Sequence, residues 1–285
     1  INTVVCAYRP FESLWTGMKL KSVFPSLRVI GYHLDLLMAA NNASAFIKKY
    51  KYERAASFFE REKNRLDKVI LPKSALNKNY QGNNIFYADF PLFSIENKGK
   101  NCGFTYERGY TNFSYIGSID GSNREITYLA QVLKGVQKKI GRPIRLNIWG
   151  NIAERVREQI NDNPMMQYHG VVNNDYTFDL LYRADFVVNL SNKNTPEMVP
   201  SKIFQLFSVR TPILNIVEAE NDASLPYFLR NEFACNVCAY ERNSSNAIVQ
   251  VADFTMVYCG KKQDLNMVEK LYGESKPAYV ADLIG

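Results

Sequence analysis

Between residues 111 and 217 the chain alternates between two hydrophobic rhythms. Short continuous apolar runs appear at 113–117 (FSYIG), 144–149 (IRLNIW), 165–169, 185–190 (DFVVNL) and 212–217. Such runs predict buried strands. Between them, apolar residues recur at helical spacing: Ile126, Leu129, Ala130, Leu133, Val136 and Ile140 in 125–140, then Ile152, Val156 and Ile160. Helices are also predicted at 176–183 and about 200–208. A weaker continuation predicts a helix near 224–231, a strand near 233–239 and helices near 243–254 and 263–273. Strand–helix alternation with continuous apolar strands means a parallel sheet covered on both faces. Ligands of such sheets lie beyond the carboxyl ends of the strands. Gly117, Gly150, Gly170 and the loop 191–200 all follow such ends.

The first 95 residues carry fewer signals. Strands are predicted at 3–8, 27–32, 68–71 and 84–87, with a long helical pattern over roughly 39–66. Three or four strands make a thin α/β domain, and the chain starts at Ile1 in a strand-like run. Part of this domain is therefore expected to precede Ile1. The polar stretch 94–112 holds three glycines and reads as a linker. The expected division is 1–95, a linker at 96–112, a second α/β domain at 113–260, and C-terminal helices at 261–285 that cross back to the first domain.

Size and charge add limits. The 285 residues are 46% hydrophobic and 22% charged, enough for two cores and too apolar for disorder. The net charge of +7 suits anionic partners without selecting among them. Five cysteines argue against a disulfide framework and for a reducing compartment. No apolar run reaches the roughly 20 residues of a spanning helix. The pair Cys235 and Cys238 lacks further ligands at zinc-site spacing, so no metal site is expected. There is no GxSxG, P-loop or GxGxxG pattern, which weighs against hydrolase, P-loop and ordinary dinucleotide-binding readings. No recognised nucleic-acid module is present.

The stretch 196–214, PEMVPSKIFQLFSVRTPIL, carries the most chemistry. Pro200 fits the first position of a helix. Ser201, Lys202 and Ile203 would then present unpaired N–H groups beside a lysine, which is an anion-binding arrangement. A proline-started helix with a solvated lysine is the plainer reading of the same residues.

The stretch resembles the donor-site helix of retaining GT-B glycosyltransferases of family four. YIGS (115–118), LNIWG (146–150), YHG (168–170) and ADFVVNLS (184–191) match that family's C-terminal domain in order and spacing. The resemblance covers 111–217 well and the rest loosely. It implies two Rossmann-like α/β domains and transfer of a sugar from a nucleotide-sugar to an acceptor, with retention and without a metal or cofactor. It implies that Glu197 lies near the donor sugar and that the backbone of Val199, Pro200 and Ser201 faces the diphosphate. Arg124 and Lys202 would neutralise the leaving group. Gly117, Gly150, Gly170 and Val171 would line the nucleotide. The family's second carboxylate, which holds the ribose, falls on Gln205 here. His33 and Asp35 end a strand of the first domain, on the acceptor side; a polar strand-end residue without function is the plainer reading of each. The resemblance further implies a carbohydrate or lipid-linked acceptor, no nucleic acid, and a cytoplasmic bacterial setting in polysaccharide or glycolipid assembly. The helix at 50–66 could touch a membrane surface, although its alternating acids and bases favour a solvated face. A GT-B sugar-nucleotide epimerase and a catalytically weak nucleotide-sugar-binding protein are the alternatives.

Overall fold

A computed structural model describes residues 1–7, 11–33, 46–78, 80, 82–91, 93–94 and 100–285. It divides into two compact units, Ile1–Leu92 with Glu274–Gly285, and Phe93–Gly273. Asp35, the start of the predicted 39–66 helix and the end of the predicted 3–8 strand lie outside the described residues.

In the first unit four parallel strands follow one another in order, β1 (Thr3–Ala7), β2 (Arg28–Tyr32), β3 (Lys68–Pro72) and β4 (Ile85–Ala88). Helix α1 (Phe11–Val23) connects β1 to β2 and was not foreseen from the sequence. Its Leu14 and Met18 are buried, but Trp15, Leu20 and Val23 are exposed, so its apolar residues mark no single face. Gly17 lets α1 sit against Cys6, whose sulfur an added Cβ would strike. Helix α2 (Phe46–Glu62) places Ala55 and Phe59 in the same core.

The chain's last helix, numbered α10 (Pro277–Ile284), belongs to this unit. Its Val280 packs with Ile30, Ile70 and Ala88. Two basic side chains close its C-terminus. Lys68 Nζ donates to Leu283 O at 2.7 Å and Arg28 Nη1 to Gly285 O at 2.9 Å. Cations there satisfy orphan carbonyls and complement the helix dipole.

The second unit holds six parallel strands, β5 (Thr111–Ile116), β6 (Ile144–Trp149), β7 (Met166–Tyr168), β8 (Phe186–Leu190), β9 (Ile213–Val217) and β10 (Ala234–Cys238). Their order across the sheet is β10-β9-β8-β5-β6-β7. The order reverses between β5 and β8, where a doubly wound sheet opens its ligand crevice. Helices α3 (Thr127–Ile140), α4 (Glu154–Asn161) and α8 (Ser244–Tyr258) share one core with one face of the sheet. Helices α5 (Asn174–Arg183), α6 (Lys202–Ser208), α7 (Leu225–Leu229) and α9 (Leu265–Tyr272) complete the unit. Phe207 of α6 stacks on Tyr272 of α9 with ring centroids 3.9 Å apart.

The stretch 100–107 lies along this second unit. Phe104 packs edge-on against Trp149 and His169, and Tyr106 Oη donates to Leu180 O at 2.8 Å. Cys235 and Cys238 sit on β10 at an odd spacing, so their side chains leave opposite faces of the sheet and cannot share an ion.

Candidate functional site

Three loops at the carboxyl ends of β5, β6 and β8 are laced together. Ile119 and Ile152 form a parallel bridge, with Ile119 N to Asn151 O at 3.1 Å and Ala153 N to Ile119 O at 2.9 Å. On the other side, Lys193 N donates to Asn123 O at 2.9 Å and Asn194 N to Asn123 Oδ1 at 2.8 Å. Arg124 Nε reaches across to Asn192 Oδ1 at 3.1 Å. The loop 191–200 is tied in turn to the next strand end, where Ala223 N donates to Pro196 O at 2.8 Å and Glu218 N to Ser191 Oγ at 2.9 Å.

The structure brings Gly117, Gly150 and Gly170 together. Gly117 N donates to Trp149 O and Gly150 N to Gly170 O, both at 2.9 Å. Gly150 has φ +129, and a Cβ there would run into the Gly117 carbonyl. Its missing side chain therefore makes room for the neighbouring backbone. Gly117 lacks a side chain for a second reason: an added Cβ would meet Lys202 Nζ and Tyr115 Oη.

Lys202 is thus folded over Gly117. Its Nζ stands 4.5 Å from the centroid of the Tyr115 ring, a cation–π contact. Burial and the charge of Arg124 push its pKa down to about 7. The Tyr115 hydroxyl donates to Ser118 O at 2.9 Å, and burial pushes its pKa up to about 12. Tyr115, which sequence reasoning missed, is the floor on which both cations converge. A buried aromatic two residues before a strand-end glycine was its only signal. Asp120 was missed too. Its Oδ1 accepts from the backbone N–H of Ser122, Asn123 and Arg124, shaping the loop that presents Arg124. Those bonds outweigh burial and lower its pKa.

Helix α6 starts later than predicted. Lys202 is its first residue and Ser201 its N-cap, without a side-chain capping bond. Pro200 lies outside the helix and accepts from Ile203 N at 3.1 Å, a tightened turn. Glu197 and Val199 are half-buried in the loop before it. Gln205 is exposed while its neighbours Phe204 and Leu206 are buried. Val171 is 77% exposed just past Gly170.

His169 Nε2 lies 2.9 Å from Asn147 Oδ1, and its ring stacks on Trp149 at 4.6 Å. Burial lowers its pKa. His33 is only 1% exposed, packed edge-on against Phe59 inside the first unit's core. Burial pushes its pKa down to about 3. A strand end that looked open in sequence is covered by α2. Among the described residues no group of three or more His, Cys, Asp and Glu could hold a metal, and no helix is long and apolar enough to cross a membrane.

Similar structures identify the architecture. The chain aligns with an α,α-trehalose-phosphate synthase (UDP-forming) from Burkholderia xenovorans solved with glucose-6-phosphate. There the TM-score is 0.61 at 8% identity, over 99% of this chain and 72% of that one. It aligns with S. aureus TarM, solved with fondaparinux, α-GlcNAc-glycerol and UDP, at 0.53 and 12% identity over 94% of this chain. The fold is GT-B. This GT-B chain spans about half of TarM, 52% of its length. A UDP-GlcNAc 2-epimerase from Methanocaldococcus jannaschii has the fold as well, at TM-score 0.57 and 11% identity over 99% of this chain and 77% of that one. No family model and no curated protein matches the sequence.

Proposed function

We propose that the chain moves a sugar from a nucleotide-sugar donor to a carbohydrate or lipid-linked acceptor, with retention and without a metal. The observation that carries this reading is the convergence of Arg124 and Lys202 over Tyr115 and Gly117 at the strand ends. Breaking the bond between the sugar carbon and the β-phosphate oxygen leaves the electron pair on the phosphate. Arg124, and Lys202 once the diphosphate holds a proton on its amine, stabilise charge that grows in the transition state. Arg124 is oriented by Asn192 and by the loop folded around Asp120. Glu197 is assigned to the donor sugar and Gln205, exposed on α6, to the ribose hydroxyls; retention rests on the resemblance alone.

Lys202 gives the reading a pH signature. Its folded pKa of about 7 lies well below that of an ordinary lysine, so the unfolded chain binds more protons between those values. The ligand-free fold then gains stability as pH rises through that window. A bound diphosphate favours the charged amine, so binding near pH 8 takes up a proton.

The test is calorimetric binding of the best nucleoside diphosphate in two buffers of different ionisation enthalpy, alongside turnover of the matching nucleotide-sugar. Lys202→Ala is expected to weaken binding by roughly 1–3 kcal/mol and abolish proton uptake. Glu197→Ala is expected to lower turnover with diphosphate binding nearly intact. If both variants bind and react like the parent, the stretch is only a connecting loop and a core helix. The epimerase of like fold supplies a second reading, and a donor converted to its epimer without any acceptor would establish it instead.

A further inference from the structure

At the end of β7 a chain of hydrogen bonds settles which nitrogen of His169 carries the hydrogen. Asn112 Nδ2 donates to two carbonyls, Glu107 O at 3.0 Å and Tyr110 O at 3.2 Å. Only an amide NH2 group suits a place between two carbonyls, so Asn112 turns its Oδ1 the other way. There Oδ1 accepts from Asn147 Nδ2 at 3.3 Å. Asn147 in turn offers Oδ1 to His169, whose Nε2 lies 2.9 Å away. That oxygen needs a donor, so Nε2 carries the hydrogen and Nδ1 keeps a lone pair. Burial and the nearby charge of Arg145 lower the pKa of the ring, which holds it neutral.

The ring is held in place. It stacks on Trp149 with centroids 4.6 Å apart and takes Phe104 edge-on at 4.9 Å. Nδ1 has no hydrogen-bond partner among the described residues, and it is not sealed from solvent, since the ring is only half-buried. A fixed acceptor with nothing to accept therefore stands at a strand end. The next residue, Gly170, takes the bond from Gly150 N, and Trp149 O takes that from Gly117 N. The acceptor thus lies along the line of strand ends that starts at Gly117. β7 is two strands from β5, about 10 Å, a separation that a nucleoside can span from its diphosphate.

We infer that His169 Nδ1 reads the base of the nucleotide by accepting a hydrogen bond from a ring N–H. The inference rests on the diphosphate site proposed over Gly117. Uracil, thymine and guanine carry a ring N–H at the middle of their pairing edge. Cytosine and adenine carry a lone pair there, which would face the lone pair of Nδ1. His169 then selects the first class of donor and disfavours the second.

Calorimetric titration of the whole chain with the diphosphates of uridine, guanosine, cytidine and adenosine tests this. The tightest binder should be the uridine or the guanosine compound, roughly tenfold or more ahead of the cytidine and adenosine compounds. His169→Phe keeps a flat ring against Trp149. It should cost the tightest binder its lead and leave the cytidine and adenosine compounds unchanged. The chain has two histidines, so a long-range proton–nitrogen NMR spectrum separates both rings. It should show His169 protonated at Nε2 alone, with the Nδ1 signal moving when the favoured compound binds. The opposite tautomer overturns the inference. So does a cytidine or adenosine diphosphate that binds best, or a lead that survives His169→Phe. Four equal affinities overturn it too, but leave the diphosphate site standing. If none of the four binds, the diphosphate site falls and this inference falls with it.

Discussion

The two faces of the six-stranded sheet come from the same strands, one residue out of phase. One face is apolar throughout its centre: Phe113, Tyr115, Leu146, Ile148, Phe186, Val188, Leu214 and Ile216 meet α3, α4 and α8. The other carries a row of buried amides. Asn189 Nδ2 donates to Asn215 Oδ1 and Asn215 Nδ2 to Asn236 Oδ1, each at 2.8 Å. Further across, Asn147 Nδ2 meets Asn112 Oδ1 at 3.3 Å, and Ser114 Oγ meets Tyr106 Oη at 2.7 Å. The first face is held by area removed from water. The second holds because each amide has both a donor and an acceptor for its neighbours. Asn189, Asn215 and Asn236 stand directly opposite one another in register. A slip of one residue would carry Asn215 into the apolar face, where no amide waits for it. The polar row thus contributes to register what the apolar face contributes to bulk stability.

The largest effect is expected on the apolar face. Phe113 is fully buried and stacks on Phe186 with centroids 4.8 Å apart. Phe113→Ala removes transfer energy, a stacking partner and packed volume together. Urea denaturation should show a loss of about 3–5 kcal/mol. A loss well under this would mean that the face repacks, and that its bulk is not what separates it from the amide row.

These differences explain what the sequence disclosed and what it withheld. The runs at 144–149 and 185–190 were legible as strands because a strand buried on both faces needs no alternation. The same reading hid the amide row, since Asn147, Asn189 and Asn215 each sit singly among aliphatic residues. Only the register of distant strands makes a row of them. Helix α1 was illegible because its apolar residues point both inward and outward. At the site, the glycines at strand ends were visible, but the reason for them was not. Gly117 yields its space to Lys202, and Gly150 yields its own to Gly117. The ring that Lys202 Nζ meets belongs to Tyr115, 87 positions away in sequence and adjacent only in the fold.

A smaller effect should follow from Asn215→Leu. The substitution keeps the volume close and adds apolar surface, so packing alone predicts little change. It leaves Asn189 Nδ2 without its acceptor, and Asn189 is only 5% exposed. Asn236 is half-buried on the edge strand, where water can replace its lost partner. One buried orphan therefore sets the scale, about 1–3 kcal/mol by urea denaturation. A neutral or stabilising result would show that the row is dispensable for stability, and would leave register as its only contribution.

The smallest effect is expected where the row meets the stretch 100–107. Tyr106 Oη bonds to Ser114 Oγ and donates to Leu180 O, so Tyr106→Phe deletes two hydrogen bonds at once. Their losses are unequal. The Leu180 carbonyl keeps the bond it receives from Ala184 N at 3.3 Å. Ser114, fully buried, loses the hydroxyl 2.7 Å away, yet its own hydroxyl can rotate toward another acceptor. The ring stays in place against Phe104 and Trp149, so no cavity opens. The net cost should be about 0.5–1.5 kcal/mol, near the worth of one ordinary hydrogen bond. Urea denaturation of Tyr106→Phe beside Asn215→Leu checks the ranking. If Tyr106→Phe proves the costlier, the stretch 100–107 carries the polar face, and the amides behind it are its passengers.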